Sequence, residues 1–328
     1  MVDRVFADKP GPGISSVTSL QNRLPVRGNE QVEIYLLGLG SIGRYIQFIE
    51  DAVIRDPGSD LSELTAEWRA AVAHYQELEA SEPGIALQGS HRQLDPVFVP
   101  LAASLQSHSS FRRTFDILPT SFGMVELDRL IVHQPSVTGT FVDSIKARFG
   151  SAPSPEALFH FCLPADAQPP PVTLRKIGAR RFVFSSDSTQ LSSGEPSVLP
   201  VEQAACLPGL DTVSRMIGLG VGFGTNFLNV VRVGGRYLLN NGYHRACALR
   251  SLGVSHVPCV IQQATSVEDL QVVVNRRVAA DASFYFESAR PPLLMDYFNP
   301  RLRKLLPVRK AVRRIEVNVE VNEFVSYE

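Results

Sequence analysis

Cysteine is scarce and scattered: Cys162, Cys206, Cys247 and Cys259 form no CxxC pair. That spacing removes zinc ligation and a disulfide framework as organising principles and predicts buried, reduced thiols. No apolar run approaches the roughly 18 residues that a membrane-spanning helix requires. The opening MVDRVFADKPGPG also lacks the apolar centre of a secretory signal. The expectation is a soluble cytoplasmic protein with no membrane partner. An excess of either charge is missing too, with 32 Lys and Arg against 33 Asp and Glu, so nucleic-acid binding is not favoured and would need a local basic cluster. Internal repeats and low-complexity tracts are absent. What remains is a chain of 328 residues, long enough to bury a substantial core and to form about two domains.

Composition and periodicity divide the chain into four parts. Residues 1–30 are rich in Gly, Pro, Ser and Asn and read as a flexible leader. Residues 31–117 read as a mainly helical N-terminal region, in which Trp68, Ala71 and Tyr75 make a core stripe at helical spacing. Near its start, VEIYLLGLGSIGRYIQFIEDAVI places Gly38, Gly40 and Gly43 as GxGxxG after a strand and before a helix. A dinucleotide site would need a second strand ending in an acid about 20 residues on. The sequence there, DLSELTAEWRAAVAHYQELEA, is helical, so the preferred reading is a glycine turn from strand to helix.

Residues 118–265 read as an α+β domain. MVELDRLIVHQ (124–134) tends to a strand, TGTFVDSIKARFG (138–150) to a helix closed by Gly150, and RRFVFSS (180–186) to a strand. IGLGVGFGTNFLNVV (217–231) alternates Gly with apolar residues, the pattern of a strand with one bare face. Residues 266–328 read as helices, a basic segment and a terminal strand. The basic segment carries seven Lys and Arg and no acid from Arg301 to Arg314, and its default reading is a solvated helix face. IEVNVEVNEF (315–324) alternates as a strand does, so 301–328 is the candidate docking element for a protein partner.

The stretch with most chemistry is YLLNNGYHRACALRSLG (237–253). VVRVGGRYLL before it reads as a hairpin through Gly234-Gly235, and VPCVI after it as a buried strand. Between them Ala246, Ala248, Leu249 and Leu252 keep helical spacing up to Gly253. Asn240 or Asn241 can cap that helix, and Gly242 permits positive φ or a close ligand. His244 and Arg245 then fall in the first turn, where the helix end is already positive. Two readings stay open: an external anion such as phosphate, or an Arg paired to a distant acid and a His satisfied in the core.

With VELDRLIVHQ and NNGYHRACALRSLGVSHVPCVI together, the sequence resembles the ParB and sulfiredoxin superfamily. The resemblance implies a mixed-sheet α+β nucleotide-binding domain, preceded here by the helical region, whose Gly-x-x-Arg turn holds phosphates. Tyr243 stands where sulfiredoxin-like enzymes carry the redox Cys, which argues against sulfinic-acid reduction. Tyr243 and His244 also replace the Glu and first Arg of the CTP-binding Gly-Glu-Arg-Arg turn. The implied function is nucleotide or phosphate binding, with kinase-like phosphotransfer or nucleotide hydrolysis as the catalytic form and ATP or another nucleotide, with Mg, as cofactor. Asn240, Asn241, Gly242, Tyr243, His244 and Arg245 would form the cofactor site. In the catalytic form Arg245 neutralises phosphate, His244 acts as acid or base, and Asp128 supplies a carboxylate, with Glu126 and Asp211 as further candidates by position. The alternative is a non-catalytic scaffold that docks a partner through 301–328.

Overall fold

A computed structural model describes residues 30–54, 60–89, 91–151, 153–165, 168–200 and 213–327. The expected leader up to residue 29, Asp211 and Cys206 lie outside the described residues. Along the chain come strand β1 (Glu30–Leu36), helices α1 (Ile42–Ala52) and α2 (Leu61–Ser81), and the short strand β2 (His91–Arg92). Next are α3 (Val99–Ser107), α4 (Ser109–Thr114), β3 (Thr120–Glu126), β4 (Ser136–Thr138), α5 (Gly139–Phe149) and α6 (Pro155–Cys162). A run of strands follows: β5 (Thr173–Ile177), β6 (Arg181–Ser186), β7 (Ser192–Ser193), β8 (Ser197–Leu199), β9 (Met216–Gly218), β10 (Val221–Gly222), β11 (Asn229–Val233) and β12 (Arg236–Asn241). The chain continues through α7 (Tyr243–Ser251), β13 (His256–Gln263), α8 (Val267–Val273), α9 (Arg276–Ala280), α10 (Ala282–Phe286), β14 (Arg303–Arg309) and β15 (Arg313–Asn318). Helices and sheets are mixed, so the fold class is α+β.

The central sheet has the order β12-β11-β13-β3-β2. β11 and β12 are the hairpin expected around Gly234-Gly235, and α7 carries the chain back so that β13 lies parallel to β11. β13 pairs antiparallel with β3 on its other side, from His256 opposite Glu126 to Gln262 opposite Thr120. A second sheet, β14-β1-β4, is antiparallel throughout. The main core joins Ile34 and Leu36 of β1, and Leu105 and Phe111 of α3 and α4, to Val125, Leu239, Leu249 and Val260. One core therefore spans both sides of residue 118. A second core lies between α1 and α2 on one side and β1 and β14 on the other, with Ala71 fully buried and Trp68 and Tyr75 packed against it.

Gly38 shows why the glycine turn exists. Its φ is 75°, and a Cβ there would sit 3.1 Å from the Tyr75 ring and 3.2 Å from the Val72 backbone nitrogen. The glycine lets α2 approach the turn, and β1 sits in an antiparallel sheet rather than a dinucleotide fold.

Four expectations need correcting. The strand expected over 124–134 is β3, which ends at Glu126. The basic segment is strand β14, not a helix face: Leu306 and Val308 point into the second core, and Pro307 is tolerated because β14 lies at a sheet edge. Its charges are drawn onto neighbours, since Arg301 makes two bonds to Glu77 (2.8 and 3.2 Å), Lys304 pairs with Glu67, and Arg309 donates to the Asp51 carbonyl (2.7 Å). The Gly-rich run 217–231 is not one strand. β9 pairs with β8, β10 with β7, and only from Asn229 does the chain enter the central sheet. The ladder of the terminal strand ends at Asn318, against Arg181 of β6, short of the expected residue 324.

Candidate functional site

The turn at the mouth of α7 is built from β12 inward. Gly242 is the N-cap, with φ 106° and no side-chain capping bond. A Cβ at this position would meet Leu228 Cγ at 2.9 Å, so the glycine accommodates the chain entering β11. Neither asparagine caps the helix, which corrects that expectation. The Asn240 amide donates to Asn229 Oδ1 and to the Val273 carbonyl, both at 3.1 Å. The Asn241 amide donates to the Thr225 carbonyl at 3.3 Å. Asn240 ties the end of α8 to the hairpin, and Asn241 ties the loop before β11 to it.

Tyr243 is buried and offers no face for base stacking. Its hydroxyl donates to the Leu239 carbonyl at 2.7 Å and accepts from the His133 N–H at 3.1 Å, and its ring meets His133 edge-on. His244 Nε2 accepts from the Thr138 N–H at 3.1 Å, which fixes the neutral tautomer protonated at Nδ1, and the ring packs edge-on against Phe141. Burial, reinforced by Arg245, pulls its pKa down to about 4. His244 is thus uncharged near neutrality and its accepting nitrogen is occupied.

Arg245 resolves the charge puzzle of the first turn. Its side chain turns inward to the C-terminal end of α6, where Nη1 donates to the carbonyls of Phe161 (3.1 Å) and Cys162 (2.8 Å), while Nη2 donates to Asn226 Oδ1 (2.9 Å). The last carbonyls of a helix lack intrahelical partners and carry the negative end of its dipole, so a buried cation there is compensated without an acid. Among the described residues Arg245 forms no ion pair with a carboxylate. Burial lowers its pKa to about 10, which leaves it charged at neutral pH. Cys162 beside it is pushed up to about 12 by burial, as is Cys247, so both thiols are protonated and inert as nucleophiles at neutral pH.

The expected carboxylates lie elsewhere. Asp128 accepts from Arg250 Nε at 2.8 Å, at the last turn of α7, whereas His244 and Arg245 occupy its first turn. Glu126 pairs with Arg129. The carboxyl linked to His244, through Thr138, is Glu33 of β1, which the sequence reading missed. Thr138 lies opposite Glu33 in the β1–β4 ladder, its hydroxyl donates to Glu33 Oε1 at 2.5 Å, and its N–H is the one held by His244. Burial raises the Glu33 pKa against the lowering effect of bonds from Thr138 and Ser136. The available signal was a carboxylate set between Val32 and Ile34 in the strand; its partner is 105 residues away in sequence.

Among the described residues no cluster of three or more His, Cys, Asp or Glu can hold a metal ion, and no helix is long and apolar enough to cross a membrane. No family model, curated protein or solved structure matches the chain.

Proposed function

We propose that this chain is a non-catalytic docking protein: an α+β body of the ParB/sulfiredoxin-like kind that carries a small sheet for binding a protein partner. One observation carries the reading. In the sheet β15-β6-β5, residues paired across the ladders share a face, and Leu174-Phe184-Ile315 and Lys176-Phe182-Val317 line up on the same one. Of these, Leu174 is 56% exposed, and Phe182, Phe184, Ile315 and Val317 are only partly covered. Among the described residues none belongs to a hydrophobic core. A chiefly apolar, partly covered face of this kind, with Lys176 over the Phe182 ring, is read as an interaction surface. The hairpin, α7 and parallel β13 support the architectural half of the reading, and Arg245 then serves as an internal clasp between α7 and α6.

The rival reading places ATP or another nucleotide, with magnesium, at Gly242–Arg245 for binding, phosphoryl transfer or hydrolysis. It retains one observation in its favour: α7 begins without a side-chain cap.

The docking reading is tested with an environment-sensitive anilinonaphthalene sulfonate dye on the full chain. The expected result is dye fluorescence that falls sharply in Leu174→Ser/Val317→Ser while near-ultraviolet circular dichroism of the body is unchanged. Dye binding indifferent to both substitutions would remove the reading.

A further inference from the structure

The strand pattern of residues 315–321 outruns its ladder. Ile315, Val317, Val319 and Val321 keep one parity, and Val325 and Tyr327 continue it, yet β15 stops at Asn318 with the Val319 N–H donating to the Arg180 carbonyl. Beyond it Val319, Val321, Phe324, Val325 and Tyr327 are exposed, Tyr327 by 94%. At the opposite side of the same sheet every residue of β5 is exposed, and among the described residues its outer edge has no neighbour. An unpaired edge and an unpaired alternating segment are complementary in backbone hydrogen bonding.

Their charges are complementary as well. β5 offers Arg175 and Lys176, followed by Arg180, and none of these has an acid partner among the described residues. Residues 319–327 offer Glu320 and Glu323 and contain no Lys or Arg. Resting on the docking reading above, we propose that the partner is a second copy of this chain, whose residues 319–322 add antiparallel to β5. One register satisfies both faces. With Val321 opposite Leu174, Glu320 falls opposite Arg175 and Val319 opposite Lys176. The apolar face of Leu174, Phe184 and Ile315 is then extended by Val319 and Val321, and the opposite face gains the Glu320–Arg175 pair. Reciprocal exchange between two copies closes a dimer, and one-way addition grows a chain.

The test is sedimentation velocity of the full chain from low to high micromolar concentration. Self-association is expected, weakened about tenfold or more by Arg175→Glu alone and by Glu320→Arg alone, and restored in the Arg175→Glu/Glu320→Arg double variant. Single variants that associate like the parent, or a double variant that fails to recover, would overturn this register. A chain that is monomeric throughout, yet still binds dye at Leu174 and Val317, would overturn self-pairing and leave docking of a different protein. Loss of the dye response as well would mark failure of the docking reading itself.

Discussion

Gly242 carries the sharpest constraint of any single residue. Its backbone is left-handed and its Cα faces Leu228, so Gly242→Ala combines φ strain with a contact that backbone and core must move to relieve. The expected loss is about 2–4 kcal/mol in chemical denaturation. Arg245→Ala leaves the Phe161 carbonyl and Asn226 without their donor and uncaps α6, with an expected loss of about 2–4 kcal/mol. A phosphate-binding arginine on an open surface would be nearly neutral to stability. His133 and His244 set the acid limb. Burial lowers both to about 4, so the unfolded chain binds more protons between about 6.5 and about 4, and stability rises with pH over that window. Unfolding free energy should therefore fall on acidification from about pH 6.5, by at most roughly 3 kcal/mol per histidine, and His244→Gln should flatten the slope. Glu33 acts in the opposite sense, because a carboxyl with a raised folded pKa loses stability as pH rises through it.

Among elements, the buried pair Arg290–Asp296 holds the segment before β14 to the end of α2. Arg290 donates to both Asp296 oxygens, at 2.6 and 2.7 Å, and also to Glu82 at 3.2 Å. Asp296→Ala leaves a buried guanidinium short of its main partner and should cost about 3–5 kcal/mol. Lys310→Ala, which breaks the exposed pair with Asp187, should shift the denaturation midpoint barely at all. The same scale separates what was legible in the sequence from what was not. The hairpin, α7 and β13 could be read because each has its own periodicity and punctuation, and α5 because Gly150 closes it. β14 could not, since Leu305, Leu306 and Val308 among bases and a proline fit neither period cleanly, and only pairing with β1 makes them a strand. The destination of Arg245 was equally hidden. Its carbonyl acceptors lie 83 and 84 residues earlier in the chain, and local sequence shows the cation at the helix start without showing the α6 carbonyls that receive it.

For the whole molecule, one body holds a clasped α7 turn and a small sheet whose apolar face is partly covered and whose β5 edge is unpaired among the described residues. If the clasp is the work of Arg245, the turn does not need a ligand to be complete. The direct test is calorimetric titration of the full chain with ATP, ADP and CTP, with and without magnesium, beside Arg245→Lys verified as folded. No saturable heat from any nucleotide is expected in either protein. Saturable heat with the parent chain that disappears in Arg245→Lys would contradict the clasp and return Gly242–Arg245 to service as a phosphate site.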